Sequence, residues 1–165
     1  MLASTEYQVG IVHSNREREA VFAVRMVVFV EEQAVPPEEE LDAFDLTATH
    51  FVARYIGAQD ASSESTLSAE EQETARVVGT ARLLDKGEGK GKIGRVAVLK
   101  SHRGRGVGHL LMRAVEKVAR ERGFTYLVLE AQCYAIPFYE KLGYVAQGDI
   151  FLDCNIEHRY MSKSL

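Results

Sequence analysis

One stretch of this chain concentrates the residues that could do chemistry. The run Val96-Ala97-Val98-Leu99-Lys100-Ser101-His102-Arg103-Gly104-Arg105-Gly106-Val107-Gly108-His109 begins as an apolar strand, turns through three alternate glycines and opens a helix. Unpaired amides at a helix start, with the helix dipole behind them, attract anionic oxygens. Glycines let such a ligand approach the backbone closely, and the charges of Arg103 and Arg105 suit a diphosphate. Two other phosphate motifs do not fit. A nucleotide P-loop needs Lys and then Ser or Thr after its last glycine, but His109 and Leu110 follow Gly108. The dinucleotide spacing G-x-G-x-x-G needs its third glycine one residue later.

The string Arg103-x-x-Gly106-x-Gly108 resembles the pyrophosphate signature of the GNAT superfamily of N-acetyltransferases. Arg95-Val96-Ala97-Val98 is similar to that family's fourth strand, and Ala135-Ile136-Pro137-Phe138-Tyr139-Glu140-Lys141-Leu142-Gly143-Tyr144 to its later A-x-x-F-Y-x-x-x-G-F motif. The family's usual Asn three places before that Ala is Gln132 here. Residues 25–33, with Glu40 and Asp42, are similar to a bacterial-type subgroup, and the likeness covers nearly the whole chain except 57–75. The resemblance implies acetyl-CoA as acyl donor. It implies that the backbone of Val96, Ala97 and Val98 pairs with the pantetheine arm. Arg103, Gly104, Arg105, Gly106, Val107, Gly108 and His109 would hold the diphosphate, and Gln132 would border the cofactor.

Two side chains have proton-transfer roles in that setting. A thiolate leaves when an amine attacks a thioester, and the phenol of Tyr139 can hydrogen-bond to it or protonate it. The bland alternative is a packing aromatic like Phe138. The amine must shed a proton, and histidine is the side chain that changes charge nearest neutrality. His158 is the candidate base, similar in placement to the final-strand histidine of glyphosate N-acetyltransferase. Its alternative is a solvent-facing strand histidine, with Glu31, Glu32, Glu130 and a water chain as competing bases. Arg25, Arg82 and Arg95 are candidates for an anionic acceptor, because guanidinium forks match carboxylate and phosphate. Each reads equally as a surface charge. Cys133 has no His-Asp arrangement to make it an acyl-enzyme nucleophile, and the five histidines lack metal-ligand spacing, so no metal is expected.

The elements that must position these groups follow from periodicity. Tyr7, Val9 and Ile11 alternate as a first strand. Ser14 and Glu17 form a capping-box pattern ahead of Ala20, Val21, Val24 and Val28 at helical spacing. The helix must stop before Val35-Pro36-Pro37, and Pro37-Glu38-Glu39-Glu40 starts a short second one. Strands are expected over 50–56, 76–84, 93–99, 126–131, 144–147 and 156–163, and helices over 107–122 and 135–142. Polar residues 57–75 read as a mobile hairpin insertion carrying at most one helical turn. The sum is a single α+β domain over 1–165. By the resemblance it is a mixed, mostly antiparallel sheet of six to seven strands, with helices on both faces and the fourth and fifth strands splayed.

Composition narrows the partners. Twenty Lys and Arg against 24 Asp and Glu give a net charge of -4, which argues against a nucleic-acid binder. No apolar run approaches membrane-spanning length, and two cysteines make no disulfide framework. A cytoplasmic setting is the expectation, with a small-molecule amine as acceptor and a homodimer as the assembly. Two other readings stay open: an acyl-CoA sensor without catalysis, and acetylation of a protein or peptide.

Overall fold

Ser14 starts the first helix. Its side chain accepts a hydrogen bond from the Glu17 amide at the head of α1 (Asn15–Arg25), and the apolar stripe Ala20, Val21, Val24 buries against the sheet. The helix passes without a break into a π-helical turn, Met26–Glu32, and then ends at Ala34, whose φ is 58°. Pro37 opens the single turn α2 (Pro37–Glu40), followed by a 3-10 turn at Ala43–Leu46. The computed structural model describes residues 1–58 and 66–165. Within the expected insertion it places a helix, α3 (Ala69–Ala75), capped reciprocally by Ser68 and Glu71. That helix is longer than the single turn read from the sequence, and residues 59–65 lie outside the described ones.

Among the described residues, eight strands form one sheet. They are β1 (Leu2–Ala3), β2 (Tyr7–Ile11), β3 (Thr49–Tyr55), β4 (Val77–Asp85), β5 (Lys90–Val98), β6 (Tyr126–Gln132), β7 (Val145–Asp153) and β8 (Ile156–Ser164), in the order β1-β2-β3-β4-β5-β6-β8-β7. The strand beyond the six or seven expected is β1. Its two residues are too few to show alternation, yet they pair with Gln8 and Val9. Strand period 2 sorts the core into two layers. Phe51 and Ala53 pack with Leu111 and Val115 of α4 (Val107–Glu121) and with Tyr139 of α5 (Ile136–Lys141), while Val52 packs with α1. Helices therefore cover both faces. No helix among the described residues is long and apolar enough to cross a membrane.

The sheet divides in its middle. The pair β5–β6 is parallel and runs only from Lys90↔Tyr126 to Ile93↔Leu129. Beyond that point β5 stays with β4, and β6 continues with β8 to Gln132↔His158. The parting coincides with a bulge, because Arg82 faces Gly94 while Thr80 faces Ala97. Arg95 and Val96 thus stand where one residue would fit, and Arg95 takes φ 53°.

Under one lip of this fork lies a network of charges. Arg25 is fully buried: its Nε donates to Glu40 Oε1 at 2.8 Å, Nη1 to Asp45 Oδ1 at 2.7 Å, and Nη2 to the Glu40 carbonyl at 2.7 Å. Arg82 holds Asp42 at 2.7 and 2.9 Å and Asp45 at 2.9 Å. Arg95 donates to the Glu40 carbonyl at 3.1 Å and to Asp42 at 3.3 Å. The expectation that Arg25 meets substrate is corrected, since its guanidinium is occupied on every side and out of reach. Burial pushes the Asp45 carboxyl up, but its bonds from Arg25, the Asp42 amide and Arg82 outweigh this and hold it well below the usual carboxylate range. Asp42 is also lowered, chiefly by the Arg82 hydrogen bond. For Glu40 burial outweighs the Arg25 bond, and its carboxyl is raised.

Removing one member of a buried network leaves its partners charged and unpaired. Arg25→Met should therefore destabilise the protein by about 3–5 kcal/mol, read from urea unfolding. The carboxylates add an acid limb. Asp42 and Asp45 have folded pKa values below their unfolded ones, so their contribution is complete above about pH 4 and is lost as pH falls below it. Melting temperature should drop with acid in the wild type and less steeply in Asp45→Asn. An equally steep Asp45→Asn curve would place the limb elsewhere.

Candidate active site

The fork makes a cleft of about 420 Å³. Val96, Ala97 and Val98 line one wall from β5, Gln132 closes the end of β6, Tyr139 enters from α5 and His158 from β8. Arg82, Arg95 and Arg103 line it too. The ladder explains why residues so distant in sequence meet: Gln132 stands opposite His158 across β6–β8, where the β5 edge has already turned away.

At the end of β5 the glycine turn has the expected shape. Gly104 and Gly106 have φ of 73° and 84°, a region other residues enter only at a cost. Gly106 caps α4 with no side-chain bond, and the first bond inside the helix runs from the Leu110 amide to the Gly106 carbonyl. The amides of Val107, Gly108 and His109 therefore form the open, positive end of a helix of 15 residues. A Cβ at Gly104 or Gly106 would meet nothing, which leaves the turn's outer surface clear for a ligand. This arrangement fits a coenzyme A diphosphate, with the splayed β5 edge free to bond a pantetheine amide.

Not every residue of the turn serves it in the same way. Gly108 is needed for packing, because a Cβ there would lie 3.2 Å from the Phe138 ring. Val107 is buried in the core, and His109 is exposed. Arg105 leaves the cleft altogether: it pairs with Glu6 at 3.0 Å and lies over the rings of Tyr7 and Tyr55. Its charge still sits one residue from Gly106, but its side chain fastens the turn to β2 and β3. Tyr7 and His102 add a hydrogen bond of 2.8 Å to the same seam.

The proton-moving candidates lie deeper. Tyr139 is 8% exposed and packs edge-on against Phe138 and Tyr144. Burial, with a smaller contribution from Tyr134, raises its phenol well above the ordinary range, so it stays protonated. His158 is nearly buried and stacks on Phe151. Its Nδ1 lies 2.7 Å from the Ile156 carbonyl, which can only accept, so in the neutral imidazole the proton sits on Nδ1 and the lone pair on Nε2. Cys154, at the tip of the β7–β8 hairpin, donates to Glu39 at 2.7 Å; that bond and then burial keep it a thiol, its pKa pushed up to about 12. Of the competing bases, Glu130 pairs with Lys92 and Glu32 with Arg103.

Residues of the π-helical turn reach this site as well. Gln33 exchanges two hydrogen bonds with Gln132, at 2.7 and 3.1 Å, and Glu32 holds Arg103 at 2.7 Å. Sequence reasoning placed Glu32 and Gln33 in the subgroup-like stretch 25–33 but had no means of pairing them with Arg103, 71 residues on, and Gln132, 99 residues on.

Comparison with known proteins agrees with this geometry. The profile of the Acetyltransferase (GNAT) family matches residues 26–144. The uncharacterized N-acetyltransferase YjcF of Bacillus subtilis strain 168 is 39% identical over 156 residues, 93% of this chain and 98% of that protein. The glucosamine 6-phosphate N-acetyltransferase of Trypanosoma brucei brucei is 36% identical over 81 residues, 46% of this chain and 55% of that protein. A crystal structure of an acyl-CoA N-acyltransferase from Pseudomonas aeruginosa matches with a TM-score of 0.72 and 28% identity, covering 97% and 99% of the two chains. A forked sheet opening on one cleft, an amide-rich helix start after its β5 wall and these matches together define the class, an acyl-CoA-dependent N-acyltransferase. The chain belongs to the GNAT family, whose N-acetyltransferases include its relative YjcF.

Gly106 offers a direct test of the cradle. Gly106→Asp keeps a residue tolerant of positive φ but sets a carboxylate beside the helix start. The variant should fold, by circular dichroism, and lose coenzyme A binding in calorimetry by at least about tenfold. A folded variant with unchanged affinity would remove the turn from cofactor binding.

Proposed function

We propose that this enzyme transfers acetyl from acetyl-CoA to the primary amine of a small, anionic acceptor by direct attack. The observation carrying the reading is that Tyr139, His158 and the unpaired edge of β5 line one cleft. Bound acyl-CoA supplies an activated thioester whose carbonyl the amine attacks and whose thiolate leaves. Val96, Ala97 and Val98 offer backbone amides to orient the donor and polarise its carbonyl, while Arg103, Gly104, Gly106, Val107, Gly108 and His109 cradle the diphosphate from side chain or backbone. His158 Nε2 takes the proton of the attacking amine, and the Tyr139 hydroxyl, kept protonated by burial, donates a hydrogen bond to the departing thiolate. The raised thiol of Cys154 favours direct transfer over an acyl-enzyme.

Arg82 and Arg95 line the cleft, each already paired with Asp42, so an anionic acceptor would compete with that carboxylate for their guanidinium groups. The glucosamine 6-phosphate N-acetyltransferase relative is in keeping with an amine that bears an anionic group. A screen of amino acids, amino sugars, amino-sugar phosphates, polyamines and peptides, followed by free-thiol release, tests the choice. Preference for polyamines or peptides would reject it. For assembly we carry a homodimer, to which edge strand β7 offers exposed Ile150 and Leu152; sedimentation at micromolar concentration decides.

Tyr139→Phe keeps the ring and removes the proton donor. It should lower kcat by roughly ten- to a thousandfold with coenzyme A affinity unchanged. Because burial holds the wild-type phenol protonated, its pH–rate profile should show no falling limb from this residue up to about pH 10. Wild-type turnover in the variant would return Tyr139 to a packing role. His158→Ala should reduce kcat with KM little changed. Wild-type kcat in the variant would move the base to a carboxylate or a water chain, whereas a raised KM alone would make His158 a substrate-holding residue.

A further inference from the structure

Three consecutive residues at the end of the π-helical turn carry features that folding alone does not ask for. A π-helix inserts an extra residue into a helix, and such insertions gather at functional sites. The turn ends at Ala34, a residue with a side chain held at φ 58°, a left-handed conformation that costs energy. At this junction Glu32 and Gln33 each hold a side chain that lines the cleft. Glu32 Oε2 accepts from Arg103 Nη2 at 2.7 Å, beside the glycine turn. Gln33 makes a reciprocal amide pair with Gln132, at the end of the splayed strand β6. Both partners are side chains at the cofactor side of the cleft, and Gln33, Gln132 and Arg103 all line it.

We propose that Glu32 and Gln33 form an exchange strap: each holds a cofactor-binding side chain in place and gives it up when acyl-CoA enters. The chemistry of each contact matches the group that would replace it. A carboxylate on Arg103 stands where a diphosphate oxygen would sit, and a diphosphate carries more charge for the same guanidinium. A primary amide on Gln132 stands where a pantetheine amide would sit, whose single N–H or whose carbonyl can replace one bond of the pair. The strap keeps Arg103 and Gln132 extended over the cleft, but it competes with the ligand for them. The Arg103–Glu32 pair is part-exposed, with side chains 42% and 30% accessible, so the competition is weak enough for the cofactor to win.

The inference rests on the reading that Arg103 and Gln132 face coenzyme A, and calorimetry on the full chain separates the two. Coenzyme A and ADP, which carries a diphosphate without pantetheine, are the probes. Glu32→Gln should tighten both by roughly two- to fivefold, the range of an exposed ion pair. Gln33→Ala should tighten coenzyme A and leave ADP unchanged. In an Arg103→Gln background, which itself weakens both probes, Glu32→Gln should do nothing. Weaker or unchanged coenzyme A binding in Glu32→Gln, with Arg103→Gln still weakening it, overturns the strap alone. Unchanged binding in Arg103→Gln overturns the cofactor role of Arg103 and the strap with it. Circular dichroism and urea unfolding of each variant show that the comparison is made between folded proteins.

Discussion

The parting of β5 from β6 is the constraint on which the rest of the molecule depends. A parallel pair would ordinarily continue bonding to its end, yet here the ladder stops at Ile93↔Leu129. The bulge at Arg95 and Val96 turns β5 away, and Arg95 pays for it with a left-handed φ of 53°. The guanidinium of Arg95 is fastened to the Glu40 carbonyl and to Asp42, while Arg25 and Arg82 hold those same acidic residues from below. The charge network therefore ties the strained bulge to α2. Buried ion pairs contribute little net stability; what this one contributes is a fixed position for the wall of the cleft.

Everything that could react is arranged around that opening. Because β5 leaves, its backbone amides are free beside the cleft, and its end delivers the chain to the glycine turn and the start of α4. Because β6 stays with β8, Gln132 and His158 are carried to the opposite wall. Short helix α5 adds Tyr139 to the same cleft with its phenol kept neutral by burial. The β5 edge, Tyr139 and His158 thus line one cleft without being neighbours in sequence.

Local signals were legible residue by residue. The Ser14 cap, the spacing of Ala20, Val21, Val24 and Val28, the glycines of the turn and the stripe through Leu111, Ala114 and Val115 all express short-range rules, and the elements formed where those rules put them. The two-residue strand β1 was invisible because alternation needs more residues to register. The π-helical turn was invisible because its extra residue leaves the composition of a helix unchanged. Arginines 25, 82 and 95 looked alike as free charges in a string of letters. Only packing distinguishes Arg25, sealed among Glu40 and Asp45, from Arg82 and Arg95, which still line the cleft.

The sequence by itself determined the order of elements, the glycine turn that opens α4 and the likeness to the GNAT family, since each depends on residues close together in the chain. Tertiary structure decided which of the turn's arginines faces the cleft, for Arg105 is drawn away by Glu6, Tyr7 and Tyr55 from the far side of the sheet. It also decided that Gly108 serves Phe138, that His158 presents Nε2, and that Gln33 meets Gln132. These outcomes turn on contacts between segments tens of residues apart. No local propensity encodes such contacts; they exist only once burial and strand register have brought the segments together.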